Sequence, residues 1–406
     1  MVSIHLLLAA ALAGSTQAQT FQVLHSFAGA DGIDPYDGLT IDAAGHLYGN
    51  TIGADNCYVG CGTVYKLSRQ GSGWILTTLY AFAGEVDGSI PGPVTVARDG
   101  SLYGATGVGG VAGCGYGYGC GTVYRLQPPA TFCRSVSCPW EQTVLYRFQG
   151  CPDLYGPEDV TFDQAGNIFG AAYGGAFGCQ NDNIGDGGIY ELSPSQGGWS
   201  YRLAYQFMGA PTGCNPLGGV ILDQTGNLYG ATYMCGLYGN GAVYKASRDG
   251  SGWIETYVYS FAGETDGEEP FAGVISDSEG NVFGTTGYGG LNSSGVVFEL
   301  SPLNGSYNYS VLYNFSGGFG SRGRLIMDTA GNLYGSQCFG GANNLGMIFK
   351  LTPGGGRWTI TDLHDFTGND GVNPIGNMVF DSSGNLYGTA RNGGTNNDGV
   401  IWEITP

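Results

Sequence analysis

The chain reads as all-β, a seven-bladed β-propeller of four-stranded blades, and three observations predict it. One heptapeptide, GNLYGAT at Gly226, recurs seven times; a second motif, GTVYKLS at Gly62, follows each copy in strict order; and no segment carries a helical period. Radial repetition of such units leaves only short, protected sheet edges.

In chain order, each unit opens on a strand of the form WxxxxLYxF. Examples are WILTTLYAF from Trp74, WEQTVLYRF from Trp140, WSYRLAYQF from Trp199, WIETYVYSF from Trp253 and WTITDLHDF from Trp358, with YNYSVLYNF from Tyr307 and FQVLHSF from Phe21. A shorter apolar run comes next, such as GLTID to Asp42, GVILD to Asp223 or GVISD to Asp277. A D-x-x-G turn follows it, as in Asp223 to Gly226, where the acid accepts backbone N–H groups and glycine supplies positive φ. That aspartate is read as structural. The GNLYG strand and then the GTVYKL strand complete the unit, each β-branched or aromatic, alternating, and five to nine residues long.

Successive copies lie 51 to 66 residues apart, giving units of about 19–73, 74–139, 140–198, 199–252, 253–306, 307–357 and 358–406 within one propeller domain spanning 19–406. The chain begins on an outer-strand motif and ends on GVIWEIT, so the seventh blade lacks a strand. Phe21 to Phe27 are expected to supply it and close the ring.

Composition bounds the function. With 42% hydrophobic and 13% aromatic residues, the 77 glycines belong to a packed fold rather than a disordered chain. A net charge of −19 argues against nucleic acid and anionic lipid as partners. Residues 1–18, apolar from Ile4 to Ala13 with small residues up to Ala18, read as a signal peptide, and no later run is long and apolar enough to insert in a membrane. The expected product is secreted, extracellular and monomeric.

The motif pair GNLYGTA and GTVYKL resembles the GloVer-type tandem repeat of exported bacterial proteins, a family with varied cell-surface anchors, over nearly the whole mature chain. The piece GVILDQTGNLYG is also similar, at fold level, to NHL-type propellers. The resemblance implies a propeller and no particular reaction or catalytic residue. The end at Pro406, with no anchor segment, favours free secretion.

With strands lettered A to D from the axis outward, the D-to-A and B-to-C loops share one face. These loops vary while the A-to-B turns hardly do, so that face is the candidate site. Cysteine spacing predicts local disulfides Cys57–Cys61, Cys114–Cys120 and Cys133–Cys138, and same-face bonds Cys151–Cys179 and Cys214–Cys235. Cys338 remains as a free thiol, read first as buried and inert. The pairs lack the CxxC and histidine partners of a zinc site. His25, His46 and His364 each occupy a repeat slot and are read as structural.

Candidate ligand contacts are the loop tyrosines Tyr58, Tyr116, Tyr118, Tyr173, Tyr233, Tyr238 and Tyr288, whose rings suit stacking on sugars, against the alternative that they cover their own loops. Arg322, Arg324 and Arg391 suggest an anion pocket for a uronic acid or peptide C-terminus, against salt bridges to acids such as Asp370 or Asp398. Asp37, Glu158 and Asp159 lie near the inner strands, where they offer general acid or base chemistry. Together with the DG loops at Asp31, Asp87, Asp266 and Asp370, they leave Ca²⁺ open as a ligand, with no other cofactor or metal expected. No nucleophile, base pair or metal cluster stands out. The leading expectation is a non-catalytic propeller binding an extracellular glycan or peptide through this face; the alternatives are a polysaccharide lyase or glycosidase using it, and a structural cell-surface component.

Overall fold

The computed structural model describes residues 19–54, 61–84, 86–111, 113–114, 118–129, 140–176, 185–250 and 252–406. Among them every element is a strand, and the signal-peptide segment 1–18 lies outside them. Seven antiparallel sheets follow one another; blade one is Leu39–Ile41, Leu47–Thr51, Thr63–Gln70 and Gly73–Ala81, from the axis outward. Blade seven consists of Val379–Phe380, Leu386–Ala390, Val400–Thr405 and Thr20–Ser26, so the N-terminal strand supplies the missing fourth member. Blades one and seven also meet at the axis, where the Leu39 N–H donates to the Asn377 carbonyl at 3.1 Å and the Asn377 N–H to that of Asp37 at 3.0 Å. Blades are therefore offset from the sequence units by one strand.

The two motifs interlock physically. The second glycine of GNLYG lies beneath the aromatic ring of the adjacent GTVY strand: Gly49 under Tyr65, Gly284 under Phe298 and Gly388 under Trp402, all three rings fully buried. The tyrosine and tryptophan slots are thus core positions, and the glycine is required by close approach rather than by a turn. Each outer strand skips one residue against its partner, at Leu24, Leu79, Leu145, Ala204, Val258, Leu312 and Leu363. This bulge lets consecutive residues such as Leu79 and Tyr80 both pack on the core, which explains the LY pair in an otherwise alternating strand.

The tyrosine after the bulge donates to the DG acid, as in Tyr80 to Asp87 at 3.0 Å and Tyr259 to Asp266 at 2.7 Å. His25 with Asp31 and His364 with Asp370 fill the same slot at 2.7 and 3.0 Å, so the histidines serve structure and these four DG carboxylates are engaged in loop clasps. The A-to-B turn acids behave as read: Asp223 accepts from the Thr225 and Asn227 backbone N–H groups at 2.8 and 2.9 Å and from the Asn227 side chain at 2.7 Å.

Inner strands are shorter than expected, two or three residues in six blades against nine in Cys214–Leu222. Neighbouring blades crowd the axis: a side chain on Gly38 would collide with the Asn377 backbone, so the ladder stops where the blades touch. Blades two and three carry an extra pairing segment, Ser89–Pro91 and Leu154–Pro157, outside the predicted four.

Bridges between Ile33 and Gly53, Glu268 and Tyr288, and Val372 and Asn392 join D-to-A to B-to-C loops, which fixes both on one face. Cys114–Cys120 and Cys214–Cys235 are bonded as expected, and Cys61 and Cys151 are also in disulfides. Their expected partners Cys57 and Cys179, and the pair Cys133–Cys138, lie outside the described residues. Cys338 is free and buried, and burial pushes its thiol up to about 12.

Candidate functional site

Each blade enters the axis through a short link that begins, in six of the seven, with a proline (Pro35, Pro91, Pro157, Pro216, Pro270 and Pro374) packed against the preceding blade's GTVY glycine or lying where that blade ends. The strands and A-to-B turns repeat; the links vary from blade to blade. Tyr36 and Asp37, Glu158 and Asp159, Phe271, Arg322 and Arg324, and Ile375 and Asn377 come from blades one, three, five, six and seven, and together they line a cavity of about 120 Å³ at the channel mouth.

Arg324 donates to Asp159 at 2.9 Å and also to the Gly218 carbonyl, tying blade six to blades three and four. Inner strands three blades apart meet only across the axis, so this guanidinium is a bar through the channel. It separates the mouth from a second cavity of about 390 Å³ that it also lines, toward the A-to-B turns. The mouth consequently has a floor.

Three carboxyls converge near that floor. Burial pushes Asp37 up to about 7, against a hydrogen bond from Asn50 and with help from Asp34 and Asp159; Glu158 rises to about 8 through burial, Asp37 and Asp159. Burial raises Asp159 as well, and Arg324 opposes it. Such groups hold protons longer in the folded than in the unfolded chain, so they favour folding below their unfolded pKa near 4 and lose that contribution as pH rises to about 8. The turn acids set the opposite limb: burial raises Asp223, but hydrogen bonds from Asn227 and Thr225 outweigh it and lower its pKa, so stability falls below pH 4. Denaturant midpoints measured from pH 3 to 9 should peak near pH 4 to 5, and Glu158→Gln should flatten the decline toward pH 8; an unchanged decline would remove Glu158 from this account.

The sequence-predicted residues divide. Arg322 lines the mouth, its guanidinium lying over the adjoining Phe271 and Phe319 rings at 4.7 and 4.6 Å, with its Nη1 3.4 Å from the Tyr36 hydroxyl. Arg324 and Arg391 are held in ion pairs, but with Asp159 and Asp34 rather than Asp370 or Asp398; the Arg391 contacts to Asp34 are 2.7 and 2.8 Å. Tyr233 packs on Phe271 and Tyr288 on Phe319, with ring centroids 4.7 and 4.6 Å apart, and Tyr173 lies near Tyr233. Tyr118 and Tyr238 are each 59% exposed, away from the mouth. Tyr58 and Tyr116 lie outside the described residues.

Phe271, Phe319, Tyr36 and Asn377 were not singled out from the sequence. The sign that marks Tyr36 and Phe271 is non-repetition: the slot after the link proline holds Tyr36, Gly92, Glu158, Leu217, Phe271 and Ile375, with Arg322 in the blade that lacks the proline. Among the described residues, the one convergent group of potential metal ligands is Asp186 with Cys214 and Cys235, whose sulfurs are already bonded to each other. Asp37, Glu158 and Asp159 do not gather tightly enough to form such a group.

The family model described as the Gloeobacter/Verrucomicrobia repeat matches residues 114–324 and 309–406. No curated protein matches the chain by sequence. Among solved structures, the extracellular domain of a one-component system protein from B. thetaiotaomicron is similar at TM-score 0.57 and 12% identity, covering 94% of this chain and 39% of that one. A fungal alcohol oxidase of the AA5 family in complex with copper is similar at TM-score 0.56 and 13% identity, covering 95% and 76%. At these identities the likeness is one of fold.

Proposed function

Because the chain belongs to the Gloeobacter/Verrucomicrobia repeat family and carries one chemically singular cavity on a repeated scaffold, we propose that it is an extracellular propeller that binds a glycan at its channel mouth. The observation that carries this reading is the joining of aromatic and polar groups in one floored cavity. Phe271 and Tyr36 offer aromatic lining, and Asp37, Glu158 and Asn377 offer hydrogen-bonding edges, the pairing that a sugar's apolar face and hydroxyl rim require. Its disulfides need an oxidising environment, which suits an exported binder. On a panel of immobilised oligosaccharides, Phe271→Ala should weaken retention at least tenfold while Tyr238→Ala leaves it unchanged. Equal retention by Phe271→Ala and the parent protein refutes a site at the mouth.

A second reading, a glycosidase or lyase, draws on Glu158 and Asp37, whose raised pKa values keep them partly protonated near neutrality and so fit proton donation. Release of reducing ends or unsaturated products, abolished by Glu158→Gln, would establish it in place of simple binding.

A further inference from the structure

We infer that the sugar taken by the mouth is acidic, a terminal uronate residue whose carboxylate is anchored by Arg322. This rests on the glycan reading above. Among the arginines at or beside the mouth, Arg324 and Arg391 are neutralised by Asp159 and Asp34 at 2.9 and 2.7 Å, whereas Arg322 has no carboxylate within ion-pair distance among the described residues. Among the described residues its side chain has one polar contact, the Tyr36 hydroxyl.

Two rings fix it in place. Seated over the adjoining Phe271 and Phe319 rings, whose centroids are 5.0 Å apart, the guanidinium keeps its charge and loses little freedom on meeting a ligand, since both rings already restrain it. A planar donor fork held this way, with its hydrogen-bonding capacity largely unused and facing a cavity, suits a carboxylate's two oxygens. Phe271, one of the rings beneath it, also lines the cavity and gives a pyranose apolar contact, so charge and sugar recognition come from one cluster.

The floor adds the second part. Because the Arg324 bar crosses the channel, a chain cannot thread through it, and a cavity of about 120 Å³ has room for about one sugar ring. A chain end therefore fits, its next sugars leaving through the mouth.

Calorimetric titration of the intact protein with tetramers of galacturonate, glucuronate, mannuronate and guluronate, each beside its methyl ester, tests the inference, since esterification removes the charge and leaves the sugar ring and its hydroxyls unchanged. At least one free acid should bind tenfold or more tightly than its ester, and the corresponding monouronate should displace it. Arg322→Gln should erase the difference between acid and ester, and Arg322→Lys should keep part of it. If esters or neutral tetramers bind as tightly as the acids, the anchor falls and the glycan reading stands. If the tetramer binds and the monouronate does not compete, the chain-end assignment falls. Absence of binding by every saccharide overturns both, as does preferential binding of a peptide through its free C-terminal carboxylate.

Discussion

Deletion of residues 20–26 is expected to abolish cooperative folding of the ring or to lower its melting temperature by about 10 °C or more, the largest effect anticipated for a segment this short. The strand Thr20–Ser26 pairs with Val400–Thr405 along its length and covers the inner layer of blade seven, where Trp402 is fully buried. Phe21 stacks on His364 with centroids 3.5 Å apart and contacts Phe366 edge-on at 5.8 Å. Without these residues the last blade presents a long unpaired edge over exposed apolar surface, a template for aggregation. A synthetic peptide of the same sequence should restore the melting transition by adding back the strand. Full stability of the truncated protein, measured by calorimetry, would show that the ring does not depend on this closure.

Gly284→Ala is expected to destabilise the protein by about 1–3 kcal/mol through overpacking, although it adds a single methyl group. A Cβ there would sit 2.5 Å from Cζ of Phe298, a ring with no exposed surface that is packed against both Phe261 and Tyr309. Gly252→Ala provides the contrast, since its nearest neighbour is a carbonyl 3.6 Å away, and it should be neutral. Pairing Gly284→Ala with Phe298→Leu should cost less than the sum of the two single changes, because the smaller side chain vacates the space the methyl needs. Chemical denaturation of the four proteins measures this coupling; strict additivity would mean that the motif glycines are not selected by the ring above them.

These two expectations come from the part of the fold that repetition makes legible. Gly284 and Phe298 recur as Gly49 and Tyr65 and as Gly388 and Trp402, so seven copies announce one contact. The turn acids, the slots of His25 and His364, the Cys214–Cys235 bond and the closing strand were readable for the same reason: each is local, or recurs at a fixed phase.

The site was less legible because its contacts are neither local nor repeated. Arg324 meets Asp159 across 165 positions and Arg391 meets Asp34 across 357, distances over which no sequence pattern links a charge to its partner. The inner strands also came out short, since crowding among blades at the axis has no counterpart in the propensities of a single segment. The loop face and Arg322 are legible in the sequence, whereas Phe271 and Phe319 gain their meaning only when the fold sets them together beneath a guanidinium.

The central claim is that seven similar blades exist to hold seven dissimilar links around one binding cavity. Hydrogen exchange followed by mass spectrometry, with and without a saturating uronate tetramer, tests it most directly. Protection is expected in the link segments carrying Asp37, Glu158, Phe271 and Arg322, with the A-to-B turns and outer strands unchanged. Protection confined to the A-to-B turn face or to the outer strands would contradict it.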